Sequence, residues 1–171
     1  MIEPLGDYIM KLILFGTGPF AVPTFASLLK QHAVAALVTR PIEDSGKRRK
    51  TAENPVRELA ETTTLPILDP PDCNDDAFVS ALADFRSDLF VVCDYGQILS
   101  DDCLSASRLG GINLHGSLLP KYRGAAPLNW CIANGDAETG VSVILMTRRL
   151  DGGPCLVKRS TAIGDDGHRS G

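Results

Sequence analysis

Lys11 to Gly16 carries the first strong signal along the chain: Leu12, Ile13, Leu14 and Phe15 run on without a polar break and end on glycine. Strands covered on both faces read this way, because neither face meets water. Phe20 to Gln31 then sets Phe20, Pro23 or Thr24, Leu28 and Leu29 on one helical stripe, and Ala33 to Val38 is again a short apolar run. Strand, helix, strand is the unit whose crossover makes its two strands parallel. Asn54-Pro55 offers an N-cap and a proline at the first helical position, which predicts a helix through Ala60, and Leu65 to Leu68 predicts a short strand. Asn74 is expected to cap a helix with an acidic first turn (Asp75, Asp76) and a buried stripe of Phe78, Val79, Leu82 and Phe85. Leu89 to Cys93 reads as a buried strand, and Ile112 to His115 as another, entered through Gly110-Gly111. Pro127 to Ala133 predicts a short helix, with Val141 to Met146 and Cys155 to Lys158 as strands around the turn Arg148 to Pro154. This order predicts an α/β domain with a doubly wound, mostly parallel sheet. No internal repeat or low-complexity tract interrupts it.

Composition narrows the class. The 171 residues are 44% apolar and 22% charged with a net charge of −4, which fits one soluble, core-forming domain and excludes disordered and collagen-like chains. No apolar run approaches the ~20 residues that cross a bilayer. Met1 to Ile9 carry Glu3 and Asp7 and no basic region, so no export signal is visible and a cytoplasmic location is expected. The five cysteines (Cys73, Cys93, Cys103, Cys131, Cys155) include no C-x-x-C pair, and are expected to be reduced and mostly buried rather than bridged or zinc-bound. An acidic chain does not attract nucleic acid as a whole. The one local candidate is Lys47-Arg48-Arg49-Lys50, for which a solvated loop is the ordinary alternative.

Three groups of residues suggest chemistry. Gly16-Thr17-Gly18-Pro19-Phe20-Ala21 matches G-x-G-x-x-A directly after the first strand, where helix amides can receive an anion. A nicotinamide site would also want an acidic residue near the end of the second strand, where Thr39 and Arg40 stand, and Pro19 removes one amide. A tight strand-to-helix turn that lines a pocket accounts for the same pattern. Asn113 and His115 are two apart in a predicted strand, so both side chains leave one face at its carboxyl end, where α/β sheets take ligands. A donating amide beside an imidazole suits a reaction through a tetrahedral oxyanion, and a polar pair satisfied by nearby loops explains the spacing equally well. Asp151, in Leu150-Asp151-Gly152-Gly153, is either a turn residue bonding its own backbone or a carboxylate that orients His115.

Several stretches together resemble the 10-formyltetrahydrofolate-dependent formyltransferases, from Met10 to about Asp166. They are Met10 to Ala21, Tyr95-Gly96, Asn113 to Pro127, Gly135 to Val141 and Leu150 to Gly153. The Asn-x-His-x-Ser-Leu-Leu-Pro and Arg-Gly-Ala-Ala-Pro runs are the specific part. The resemblance implies a Rossmann-like formyltransferase fold, with Asn113, His115 and Asp151 as catalytic residues. It also implies that Ser117, Leu118, Leu119 and Pro120 bind folate, with Tyr95, Gly96, Gln97 and Ile98 lining the pterin pocket. Lys47, Arg48, Arg49, Lys50 and Arg123 would meet tRNA. The implied reaction moves a formyl group from 10-formyltetrahydrofolate, the co-substrate, to the α-amine of initiator methionyl-tRNA, by a monomer that needs neither metal nor NAD. Its alternatives are another amine acceptor, such as glycinamide ribonucleotide or an aminosugar nucleotide, and a folate-binding chain without activity. On the same comparison, residues 1–9 are an N-terminal extension, residues 10–171 a truncated catalytic domain, and a carboxyl-terminal tRNA-binding domain is absent. The chain departs from the family pattern at Glu43, where a basic residue is expected, and at Asp94, where a small apolar one is.

Overall fold

In the computed structural model β1 (Lys11–Gly16) is the best-covered strand, with Leu12 to Phe15 at most 2% exposed. The structure describes residues 8–42 and 53–164, and divides into two units at Gly110/Gly111. In the first unit β1 leads through a 3-10 turn (Pro19–Ala21) into α1 (Val22–Gln31) and β2 (Ala33–Val38). Then follow α2 (Pro55–Glu61), β3 (Ile67–Leu68), α3 (Asp76–Asp84), β4 (Leu89–Cys93) and α4 (Asp101–Ser105). The strand order is β3-β2-β1-β4 and every pair is parallel, as the alternation of strand and helix predicts. Asp88 pins the start of this sheet: its carboxylate accepts from the Lys11 amide at 2.8 Å and from Arg108 Nε at 2.9 Å. Those two bonds hold its carboxyl below the usual carboxylate range.

Local chemistry moves several boundaries. The α1 stripe is centred on Ala21 and Phe25, both fully buried, while Pro23 faces solvent. Pro23 sits in the first turn, where the missing amide costs nothing, so the buried face is counted from Ala21 to Phe25, one helical turn on. Asn54 caps α2 as expected, accepting from the Arg57 amide at 3.0 Å. Asn74 does not cap α3. Asp75 does, its Oδ1 accepting from the amides of Ala77 (3.0 Å) and Phe78 (3.2 Å). Asn74 instead clasps a neighbouring segment, donating to Ile98 O at 2.9 Å and accepting from the Ser100 amide at 2.7 Å. The short α4, capped by Ser100, was not anticipated; Ser100 ahead of Asp101 and Asp102 was its signal.

The second unit holds β5 (Gly111–His115), α5 (Pro127–Ala133), β6 (Glu138–Leu145) and β7 (Cys155–Ala162), in the order β5-β6-β7 with both pairs antiparallel. Here the short connection Met146 to Pro154 contains no crossover helix, so the chain can only return as a hairpin. β6 starts three residues earlier than its apolar run, and β7 runs four residues beyond Lys158, because ladder hydrogen bonds continue past the apolar positions. All eight β7 residues are exposed, and Lys158 and Arg159 give this edge the charges that discourage strand addition.

All five cysteines are free, and all but Cys155 are buried. Burial pushes the Cys93 thiol up to about 12, with the nearby Asp94 carboxylate adding to the effect. No described helix is long and apolar enough to cross a membrane.

The first-unit packing makes a specific prediction at Gly16. A Cβ there would meet Cys93 O at 2.7 Å and Phe25 Cε2 at 2.7 Å, so neither β4 nor α1 can give way cheaply. Gly16→Ala should destabilise the chain by about 1–3 kcal/mol, measured as a lowered urea midpoint with unchanged slope.

Candidate active site

Gly110-Gly111 leads into β5, whose carboxyl end delivers Asn113 and His115 to one side of the strand. Between them and the chain returning from β6 stands the turn at Asp151. That residue adopts a left-handed φ of 45°, which aspartate tolerates better than most side chains, and two glycines follow it. Gly153 lies so close to β6 that a Cβ would fall 1.8 Å from Leu145 O; the Leu145 amide in turn bonds Pro154 O at 2.9 Å. This close approach aims the Asp151 carboxylate back at β5.

The three side chains meet. Asn113 Nδ2 donates to Asp151 Oδ1 at 3.1 Å, and Asp151 Oδ2 stands 3.5 Å from His115 Nδ1. The His115 and Asp151 side chains are each 6% exposed, so this contact is screened little by water. Sequence reasoning left open whether Asp151 bonds its own turn or serves His115; the carboxylate reaches both Asn113 and His115.

Two backbone groups complete the cluster, and neither was anticipated. The Gly124 amide donates to Asp151 Oδ2 at 2.8 Å, and His115 Nε2 lies 2.8 Å from Tyr122 O. Both come from the segment that contains Arg-Gly-Ala-Ala-Pro. Gly124 takes a φ of 91°, which gives that glycine a conformational reason; Tyr122 and Ala126 are also left-handed. Both ring nitrogens of His115 therefore face oxygen acceptors, and a ring carrying both protons would donate to each. Asn113 keeps one amide proton beyond its bond to Asp151. Two donors held by one carboxylate are suited to charge developing on a carbonyl oxygen.

Ser117 to Pro120 follow directly from β5 and fold into a loop with few free polar groups. The Ser117 hydroxyl donates to Lys121 O at 2.5 Å, and the buried Ser142 hydroxyl donates to Ser117 O at 2.7 Å and accepts from the Leu119 amide at 3.1 Å. Leu118 and Pro120 line a cavity of about 480 Å³, whose floor includes Cys131 and Thr139.

The other expected site residues fall into three groups. Tyr95 to Ile98 belong to the first unit, where Tyr95 is 2% exposed and its ring stacks edge-on to Phe15 with centroids 5.4 Å apart. The Gln97 amide is spent on the chain itself, accepting from the Cys73 amide at 2.9 Å and donating to Pro70 O at 3.4 Å. Gly96, with a φ of 86°, and Ile98, 62% exposed, are the members of this stretch that present a surface. Arg123 is exposed. Lys47, Arg48, Arg49 and Lys50, together with Glu43, lie outside the described residues.

Asp94, the departure before Tyr95, is left-handed at φ 51°, and its Oδ2 would stand 1.8 Å from a Cβ on Gly18. Partial desolvation raises its carboxyl above the ordinary range, and the Arg40 guanidinium offsets part of that. Among the described residues no group of three or more His, Cys, Asp or Glu side chains is placed to hold a metal ion.

Known proteins carry the same arrangement of sequence. The model of the formyl transferase family matches residues 10–169. A methionyl-tRNA formyltransferase of Rhodopirellula baltica is 50% identical over 162 residues, covering 92% of this chain and 48% of the relative. One from Pelobacter propionicus is 44% identical over 157 residues, covering 91% of this chain and 49% of the relative. The chain thus spans about half the length of these curated relatives. Among solved structures, the phosphoribosylglycinamide formyltransferase of Streptococcus pneumoniae superposes with a TM-score of 0.74 at 20% identity, over 92% of this chain and 86% of that one. The fold is the one that this enzyme has, and with a family match across nearly its whole length the chain belongs to the formyl transferase family.

Proposed function

We propose that this protein transfers a formyl group from 10-formyltetrahydrofolate to the α-amine of methionyl-tRNA. The observation that carries the reading is the convergence of Asn113, His115 and Asp151, 3.1–3.5 Å apart, in a chain 50% identical to a methionyl-tRNA formyltransferase. The residues fit the co-substrate. The Ser117–Pro120 loop, which the resemblance assigns to folate, is held by its neighbours, and its Leu118 and Pro120 border an open cavity. When bound, 10-formyltetrahydrofolate supplies the formyl carbon that the amine attacks.

The protein's own groups do the rest. The free amide proton of Asn113 and the Nε2 proton of His115 meet the negative charge that develops on the formyl oxygen, each worth about 3 kcal/mol of barrier. His115 Nε2 is engaged by Tyr122 O in this structure, so the formyl oxygen reaches it by taking the place of that carbonyl. Asp151 faces the imidazole at Nδ1 and fixes the orientation of the ring. Its carboxylate would help move the proton lost by the attacking amine to N10, whose bond to the formyl carbon breaks as the new amide forms. Lys47 to Lys50 and Arg123 contribute cationic contacts to the acceptor RNA. Formylation of glycinamide ribonucleotide is the second reading, favoured by the fold match alone, whose 20% identity carries no acceptor specificity.

A formyl-transfer assay with 10-formyltetrahydrofolate, offering methionyl-tRNA and glycinamide ribonucleotide in parallel, decides between them. A protein extended to the length of its relatives should formylate the tRNA at least a hundredfold faster; preference for the ribonucleotide would sink the proposal.

In the same assay Asn113→Ala, His115→Ala and Asp151→Ala should each lower single-turnover transfer by about 100-fold or more while folate affinity is largely kept. The double and triple variants should lose little beyond the worst single one, because the three act through one cluster. A near wild-type rate in any single variant removes that residue from the group.

The cationic run generates a salt prediction. Replacing Lys47, Arg48, Arg49 and Lys50 with Ala should flatten the dependence of tRNA affinity on salt by up to four phosphate contacts, at a slope of about 0.7–0.9 per contact. Equal slopes for the parent and the variant would return the run to the class of solvated loops.

A further inference from the structure

A row of polar side chains crosses the antiparallel sheet of the second unit. His115 on β5 is the direct partner of Ser142 on β6, and Ser142 is the direct partner of Lys158 on β7. Direct antiparallel partners project from the same face, so the three side chains stand side by side. Each of them engages a different part of the segment 117–122. His115 Nε2 meets Tyr122 O at 2.8 Å, the Ser142 hydroxyl bonds Ser117 O and the Leu119 amide, and Lys158 Nζ donates to Leu119 O. Gly140, two residues before Ser142, is hemmed in by both β7 and the loop: a Cβ there would meet Arg159 O at 2.1 Å and Leu118 Cδ2 at 2.7 Å.

These contacts have a cost that a purely structural strand would avoid. Ser142 is fully buried, and a buried hydroxyl is tolerated because it both donates and accepts. Lys158 sits on an exposed edge strand, yet its ammonium is drawn inward to one carbonyl of the loop instead of standing free in water.

We propose that Ser142 and Lys158 are positioning residues for the formyl donor: through Ser117 and Leu119 they fix the loop that edges the folate cavity. The inference rests on the folate reading of that loop, and extends it to two residues whose side chains make no contact with Asn113 or Asp151 among the hydrogen bonds described.

The test compares Lys158→Met with Lys158→Arg, and Ser142→Ala with Ser142→Thr, in two measurements. Lys158 lies on the exposed edge, so its variants should fold even if those of Ser142 do not. One measurement is amide hydrogen exchange at Leu119; the other is the dissociation constant of tetrahydrofolate by calorimetry. Lys158→Met should speed exchange at Leu119 and weaken tetrahydrofolate each about tenfold, as expected for losing one hydrogen bond from a charged donor, with Lys158→Arg restoring both to within about threefold. Ser142→Ala should shift both in the same direction and Ser142→Thr should restore them. Unchanged exchange in Lys158→Met overturns the proposal, as does faster exchange with unaltered tetrahydrofolate affinity, or arginine failing to restore either. If the parent chain binds no tetrahydrofolate, the folate reading fails by itself, and exchange at Leu119 still decides whether the row holds the loop.

Discussion

The second unit turns on one carboxylate. Asp151 accepts from Asn113 Nδ2 on β5 and from the Gly124 amide in the segment after it, and faces His115 Nδ1 from the turn between β6 and β7. Two stretches of chain, 38 and 27 residues before Asp151, are brought to it by a single charge. A carboxylate only 6% exposed is costly to bury, and the cost is met because its oxygens are used by two N–H donors and an imidazole. The strain of a left-handed aspartate and the tight seat of Gly153 against Leu145 O belong to the same account. A backbone held away from its easiest conformation persists where the surrounding contacts over-determine it.

From that point the loop 117–122 acquires its shape. Antiparallel pairing of β5, β6 and β7 sets His115, Ser142 and Lys158 in one line, and the loop lies across their face with its carbonyls and amides consumed one by one. The parallel strands of the first unit have no such row: β1 and β4 bury Phe15, Val91 and Val92 in a dry core, with Phe15 and Phe90 stacked 5.0 Å apart. The two units divide the labour by chemistry. Parallel strands covered on both faces supply rigidity, and the antiparallel strands, with one edge open to water, carry the polar groups that a reaction needs.

How far the residues alone revealed this follows from where the information sits. Continuous apolar runs located β1, β2 and β4, because burial leaves a signal in composition, and the entry through Gly110-Gly111 located β5 to within a residue. Asn113, His115 and Asp151 were found from spacing and resemblance, and they converge. Tyr122 O and the Gly124 amide were invisible, since backbone atoms contribute whatever the side chain, and only the glycine's left-handed φ leaves a trace. Ser142 was hidden for another reason: a serine in a strand has no meaning until the register opposite His115 is known. The Asn74 error shows two adjacent cap formers in competition. Asp75 won because its carboxylate meets two amides with the favourable end of the helix dipole, which freed Asn74 to bind Ile98 and Ser100.

The glycine motif after β1 shows how a pattern can be legible and still mislead. G-x-G-x-x-A invites a phosphate, yet each of its small residues has a packing reason here. Gly16 admits Cys93 O and the ring of Phe25, Gly18 admits the Asp94 carboxylate, and Ala21 begins the buried face of α1. The Asp94 carbonyl also takes the Thr17 amide at 3.0 Å, one of the donors an anion would have used. A carboxylate against Gly18 adds repulsion to that loss, and at the carboxyl ends of parallel strands, where such sheets take ligands, repulsion is a form of selection. Arg40 stands close by, its guanidinium against Gly96 and bonded to Tyr95 O at 3.3 Å. The glycines are therefore required by the fold, whatever the sequence pattern suggests about a ligand.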